Sequence, residues 1–331
     1  MLFSIIIPAY NAVNTIGYCL DSVIGQDFPK NDYEIIVVDD CSPDKQNDVI
    51  QTYIANYPPR FIKFIKHKEN KRQGGARNTA LKEAIGDWIL YLDADDYWCS
   101  PDVLKTFASI IADNSDVDII ESVSHTDVDS YKGNLDISSK YIDTYTTGID
   151  FLLTNYYSGY IVRSAYRKSF IDKIPFRENV FFEDGDWRVK VVLSAQKIIA
   201  IDFPFYSYVN NPNSTCRGKN IETFYTNVDC NAIMLHIYAS HGDRRVRDYG
   251  MKRIKSNILS WLKISRDFSI SQSTAVIRYA ARTELFNSTH FTLSFIEKTL
   301  FDAMKYMPFF TIASIKGAVL TRRKFRKLLS R

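Results

Sequence analysis

The chain is short of the features that place a protein quickly. Its 331 residues include only five cysteines, Cys19, Cys41, Cys99, Cys216 and Cys230. The number is odd and no pair is spaced as CxxC, which argues against a disulfide framework or a zinc site and fits a reducing compartment. No apolar run approaches the roughly 18–20 residues needed to span a bilayer. The opening stretch MLFSIIIPAYN has no basic head and no small-residue cleavage site, so it reads as a strand rather than a signal peptide. A GxxxxGK[ST] phosphate loop, an internal repeat and a low-complexity linker are all absent. The net charge of +4 is small for this length and gives no reason to expect a nucleic-acid partner.

What is present is a long, aromatic-rich globular chain. It exceeds one ordinary compact core, so two structural units are expected. The first ~125 residues alternate between two periodicities. FSIIIP, YEIIVVDD, FIKFIKH, WILYLD and VDIIESVS read as strands. Between them, 14–26, 42–57, 74–86 and 100–113 carry helical spacing, with Asn14 or Thr15 and Ser42 as caps, Pro43 at a first helical position and Gly86 as a stop. Unbroken Ile/Val strands separated by helices predict a mostly parallel, Rossmann-like α/β sheet covered on both faces. Ligands in such sheets sit beyond the C-terminal strand ends. Residues 126–215 are mixed in pattern, and the remainder is helical.

The strand ends carry acids. Asp39 and Asp40 close the second strand, and Asp93, Asp95 and Asp96 close the fourth. Carboxylates gathered on one edge repel unless a cation joins them. All-oxygen sites suit Mg2+ or Mn2+, which commonly bridge a carboxylate and substrate phosphates. Lys71, Arg72, Gly74, Gly75 and Arg77 precede or open a helix, where glycine allows close approach, free N–H groups face outward and arginine clamps phosphate. A further acid pair, Glu183 and Asp184, lies among Phe181, Phe182 and Trp187. That apolar setting suits a carboxylate base with a raised pKa.

Five motifs in order, SIIIPAYN, IIVVDDCS, GGARNTAL, YLDADDYW and FFEDGDW, resemble the family 2 glycosyltransferases with the GT-A fold. The resemblance covers residues 1–210. It implies a GT-A domain over 1–215, with a nucleotide-sugar half (1–125) and an acceptor half (126–215), followed by a helical C-terminal region (216–331). It also implies inverting transfer of a sugar from a nucleoside diphosphate sugar, usually a UDP-sugar, to a hydroxyl of a glycan or lipid-linked glycan in surface polysaccharide synthesis. The family's nucleotide-sugar positions fall on Pro8, Tyr10, Asp40, Arg77 and Asp93. Its metal position falls on Asp95 with Asp93, and its base on Asp184 beside Glu183. Asp96 is read as supporting, Trp187 as packing, and His67 and His125 as ordinary histidines.

Other classes account for fewer residues. A haloacid-dehalogenase-like phosphatase also ends a strand in DxD but expects Gly and Thr or Val next, where Asp96 and Tyr97 stand. A nucleotidyltransferase opens with a Gly-rich loop that PAYNAVNTIG is not, and a non-catalytic nucleotide-sugar binder has no need of Asp95 and Asp184. Asn210, Asn211, Ser214 and Arg217 lie where a loop over the donor is expected. Residues 309–331 read as a basic amphipathic helix suited to an anionic membrane surface, and 316–331 hold seven Lys or Arg and no acid. The expected location is cytoplasmic, peripheral on the inner face of the cell membrane.

Overall fold

The computed structural model describes residues 1–124, 126–127, 140–154, 157–209, 221–260, 268–286, 295–308, 311–312 and 314. His125, Asn210, Asn211, Ser214, Arg217 and the tail from 315 on lie outside the described residues. The chain parts into two compact units, Met1–Pro212 and Asn213–Arg331.

The first unit is built on alternating strands and helices. In order they are β1 (Phe3–Ala9), α1 (Ile16–Ile24), β2 (Tyr33–Asp39), α2 (Gln46–Asn56), β3 (Ile62–Lys66), α3 (Arg72–Glu83), β4 (Trp88–Tyr91), β5 (Tyr97–Trp98), α4 (Val103–Asp113) and β6 (Ile119–Ser122). Then come β7 (Thr126–Asp127), β8 (Lys140–Tyr145), α5 (Gly148–Leu152), β9 (Ser164–Arg167), α6 (Lys168–Ile171), α7 (Glu183–Ser194), β10 (Ile198–Asp202) and β11 (Tyr206–Tyr208). Eight strands form one sheet in the order β3-β2-β1-β4-β9-β6-β10-β8, and β5-β11-β7 form a small second sheet. Strands β3, β2, β1 and β4 are parallel, β9 runs against β4 and β6, and β8 runs against β10. Every residue of β1 and β2 is buried, as a sheet covered on both faces requires. The stripe Ile16, Cys19, Leu20, Val23 and Ile24 is the buried face of α1, as its spacing predicts.

The element ends depart from the sequence reading in physically informative ways. Ser42 does not cap α2, which starts at Gln46. Its N–H instead donates to Asp39 Oδ1 (2.9 Å) and its hydroxyl to Asp44 Oδ1 (2.6 Å), forming a turn stitched by side chains. Thr15 stands at the start of α1 but makes no side-chain cap. Helix α3 begins at Arg72, so Gly74 and Gly75 lie inside it rather than in a phosphate-cradling loop. A Cβ on Gly74 would stand 2.0 Å from the Arg177 carbonyl oxygen, so this glycine permits close packing. Gly86 lies beyond the end of α3, where a Cβ would stand 2.5 Å from Ser4 N, and its N–H donates to Ser4 Oγ (2.9 Å).

The second unit is helical among its described residues, with α8 (Ile221–Ala239), α9 (Arg244–Ser260), α10 (Ile270–Ala280) and α11 (Phe295–Tyr306). Val246, Gly250, Ile254 and Ile258 recur every four residues and form the buried stripe of α9. Gly250 sits against the Tyr238 ring, which brings α8 and α9 together closely. Ser269 and Gln272 form a capping box on α10. No described helix is long and apolar enough to cross a membrane.

Candidate active site

Because β1, β2 and β4 are parallel, Ala9, Asp39 and Tyr91 end at one edge of the sheet. The chain leaving that edge carries Tyr10, Asp40 and Asp93. Pro8 is buried in β1, opposite Val38 and beyond the last β4 partner, Ile6↔Tyr91, so its missing N–H interrupts no bond to β4. Tyr10 follows it and is half exposed, at 52%. An exposed aromatic face is available for stacking.

Arg77 is the hub. It lies on α3 with a side chain only 3% exposed. One guanidinium nitrogen donates to Asp93 Oδ1 (2.9 Å) and the other to Glu183 Oε1 (2.5 Å). Three sequence-predicted residues, from α3, the end of β4 and the start of α7, are thus brought into one contact group. Phe176 and Tyr91 stand beside the guanidinium, 5.5 and 6.0 Å from its carbon to the ring centres. The next residue, Asn78, fixes the approach to α7, donating to Phe176 O (2.9 Å) and accepting from Phe176 N (2.9 Å). Trp187 is packing: it is fully buried and stacked on Phe176 at 4.2 Å.

The acid pair at the start of α7 is perturbed. Glu183 is buried, and Asp184 is half-buried. Burial raises the carboxyl pKa of both, and the charge of Asp93 adds to the rise, while Arg77 opposes it. The net direction is up for both.

Asp40 is held apart from that group. Its backbone N–H donates to Ala9 O (2.9 Å). Its Oδ1 accepts from His67 Nδ1 (2.7 Å) and from the Lys71 N–H (2.8 Å), and Asn70 Nδ2 donates to its carbonyl (3.0 Å). Asp39 turns the other way, fully buried, and accepts from Ser42 N (2.9 Å) and Gln46 Nε2 (2.7 Å).

The three acids after β4 separate by environment. Asp93 and Asp95 are partly exposed, whereas Asp96 is 1% exposed. Asp96 accepts from Tyr206 Oη (2.6 Å) and Val209 N (2.8 Å), and burial, then the charge of Asp93, pushes it up to about 8. The Asp95 carbonyl accepts from Tyr18 Oη (2.9 Å). Asp93 and Asp95 offer oxygen donors of the kind that Mg2+ and Mn2+ take. Asp93 lies within electrostatic reach of Glu183 and Asp184, against the buried Arg77 as their shared cation. A divalent cation fits so lopsided a set. No group of three or more His, Cys, Asp or Glu gathers as a complete cage among the described residues. Two carboxylates leave positions for phosphate oxygens and water, which is the usual Mg2+ arrangement.

His67, Asn70, Tyr206 and Tyr18 are contacts that motif reading passed over. The signal for His67 was positional: it follows β3 directly, and β3 is the parallel neighbour of the strand ending at Asp39.

The α/β sheet with its C-terminal helices matches the GT-A architecture. The chain matches along 97% of its length, and along 92% of the other chain, the structure of S. aureus TarS 1-349 in complex with UDP-GlcNAc (TM-score 0.75, 20% identity). Residues 4–174 match the model of glycosyl transferase family 2, and the protein belongs to that family. It is 41% identical over 118 residues, 35% of its length, to the poly(ribitol-phosphate) beta-glucosyltransferase of Bacillus spizizenii. It is 34% identical over 113 residues, 34% of its length, to the UDP-Glc:alpha-D-GlcNAc-diphosphoundecaprenol beta-1,3-glucosyltransferase WfgD of Escherichia coli. These matches span 18% and 42% of those relatives.

Proposed function

We propose that the protein is an inverting glycosyltransferase that moves a sugar from a UDP-sugar to a hydroxyl of a glycan or lipid-linked glycan during surface polysaccharide synthesis. The observation that carries this reading is the Arg77 fork, which ties the DxD strand end to the start of α7. A donor diphosphate and an acceptor base need that adjacency. Family membership and the UDP- and glycan-directed names of the relatives support it. The dehalogenase-like alternative leaves the family match and the Arg77 fork without a purpose.

In this reading Tyr10 and Pro8 border the nucleobase and Asp40 accepts from a base N–H. Asp93 and Asp95 would hold a divalent cation, Mn2+ or Mg2+, which would supply positive charge to the diphosphate. Arg77 keeps Asp93 and Glu183 in register and supplies a positive field there. Glu183 is committed to Arg77, so Asp184 is the base. It takes the proton of the acceptor hydroxyl as that oxygen bonds to the anomeric carbon, and the bond from that carbon to the diphosphate oxygen breaks on the opposite side. The configuration inverts. A base must be ionised to act, so a raised pKa places the acid limb of activity above the ordinary carboxylate range.

The test is a screen of nucleotide sugars for Mn2+-dependent hydrolysis and transfer, repeated with Asp184→Asn. UDP binding should persist in the variant while transfer falls at least ~100-fold, the size of a general-base contribution. Retained transfer would move the base elsewhere.

A membrane setting belongs to the same proposal. The second unit carries 21 Lys or Arg against 8 Asp or Glu, whereas the first carries 21 against 30. A basic unit ending in the cationic stretch 316–331 suits an anionic leaflet where a lipid-linked acceptor resides.

A further inference from the structure

His67 is 9% exposed, and both of its ring nitrogens are engaged. Nδ1 lies 2.7 Å from Asp40 Oδ1, and Nε2 lies 2.9 Å from Thr79 Oγ1. An ionised carboxylate only accepts, so the neutral imidazole that fits this pair donates from Nδ1 and accepts the Thr79 hydroxyl at Nε2. Asp40 Oδ1 therefore receives two donors, the imidazole and the Lys71 N–H, and these bonds set the plane of its carboxylate. The imidazole also joins two elements. Thr79 lies on α3 two residues after Arg77, so the Asp40 carboxylate is tied to the helix that carries the Arg77 fork.

We propose that His67 is a positioning residue for nucleobase selection: held by Thr79, it aims the Asp40 carboxylate at the base N–H and so favours uracil over bases without a donor there. The inference rests on the reading of Asp40 as the nucleobase acceptor. The imidazole touches neither base nor sugar. It acts by keeping one carboxylate oxygen occupied, so that the other meets the ligand in a single orientation. A histidine that only filled space would leave base discrimination unchanged when replaced.

The probes are UDP and its N3-methylated analogue, which lacks the N–H, measured by calorimetry on the full chain. Wild type should bind UDP at least about tenfold more tightly than the analogue, the scale of one hydrogen bond to a charged group. His67→Leu should lose about tenfold in UDP affinity and most of the discrimination, with little change for the analogue. His67→Asn, whose amide nitrogen replaces Nδ1, should restore discrimination. Thr79→Val should fall between wild type and His67→Leu and decides the matter if the leucine variant does not fold. Unchanged UDP preference in His67→Leu, or in Thr79→Val should that variant stand alone, overturns the role of His67 and leaves the reading of Asp40 intact. Equal binding of both probes by wild type, or no UDP binding, overturns the reading of Asp40 and the inference with it.

Discussion

Removing the guanidinium of Arg77 is the most exposed test of the site. Arg77→Met keeps much of the apolar stem beside Phe176 and Tyr91 but leaves Glu183 without its cation. The loss divides unequally. Asp93 is a quarter exposed in its side chain, so water screens its share to about 0–1 kcal/mol. Glu183 is 3% exposed, and breaking a buried pair from one side costs about 3–5 kcal/mol because the remaining charge is stranded. That is a large part of an ordinary total stability of about 5–15 kcal/mol. Glu183→Gln removes the stranded charge. The double variant should therefore recover about 1–3 kcal/mol of the loss expected from adding the two single changes. Trp88, Trp98 and Trp187 lie in the first unit, so tryptophan fluorescence during urea unfolding reports mainly that unit, with Trp261 in the second. A four-protein cycle on the full chain gives the coupling directly. Additivity within about 0.5 kcal/mol would refute the fork as an energetic unit.

Three further outcomes follow from the same geometry. Asp95→Ala should abolish Mn2+-dependent UDP binding while melting close to wild type, because its side chain is partly exposed; normal metal-dependent turnover in it would remove the metal role. Gly74→Ala places a methyl 2.0 Å from the Arg177 carbonyl, a backbone atom that cannot swing aside, so stability should drop by about 1–3 kcal/mol. Turnover should drop by about 100-fold as the start of α7 is displaced, and a wild-type-like variant would show the packing to be slack. Deleting residues 316–331 should weaken sedimentation with anionic liposomes in a salt-sensitive way, and unchanged sedimentation would dismiss the membrane contact.

The middle of the sheet was legible because strands such as β1, β2, β4 and β6 are buried on both faces. That burial writes itself as unbroken runs such as FSIIIP and IIVV, and the parallel order then puts Asp40 and Asp93 on one edge. The ends of elements were less legible. GGARNTAL reads as a helix despite its glycines, and it is one, but α3 starts two residues earlier, at Arg72, and stops at Glu83 rather than at Gly86; close packing of Gly74 against Arg177 outweighs the preference of glycine against helix. SPD looks like a helix start, but Asp39 and Asp44 capture Ser42 first. His67 reads as ordinary by residue type, and only its place at the end of β3, beside the strand that ends at Asp39, gives it a carboxylate. In YLDADDYW three acids share one short stretch, and only burial separates Asp96, bound to Tyr206 and Val209, from the two left facing outward.

The backbone around the site carries a second kind of information. Six described non-glycine residues have positive φ: Asn11, Cys41, Arg60, Arg72, Asn179 and Phe182. Five of them lie beside predicted site residues or on the segments leading to them. Asn11 follows Tyr10, Cys41 follows Asp40, Arg72 opens the helix of Arg77, and Phe182 immediately precedes Glu183. No described glycine has positive φ, so the chain places side chains where glycine would be the easy choice. Each such residue costs on the order of 1 kcal/mol or more, least for asparagine, and persists only where neighbours over-determine it. The neighbours are visible. Asn11 N–H is held by Ser42 Oγ (2.7 Å), Arg72 N–H by Asn70 Oδ1 (3.1 Å), and the Arg72 guanidinium lies 4.1 Å over the Phe181 ring beside Phe182. A flexible glycine at these points would ease folding but leave the strand-end carboxylates free to drift apart or to pair wrongly. The strain is thus the cost of fixing the segments that carry the strand-end acids and the start of α7.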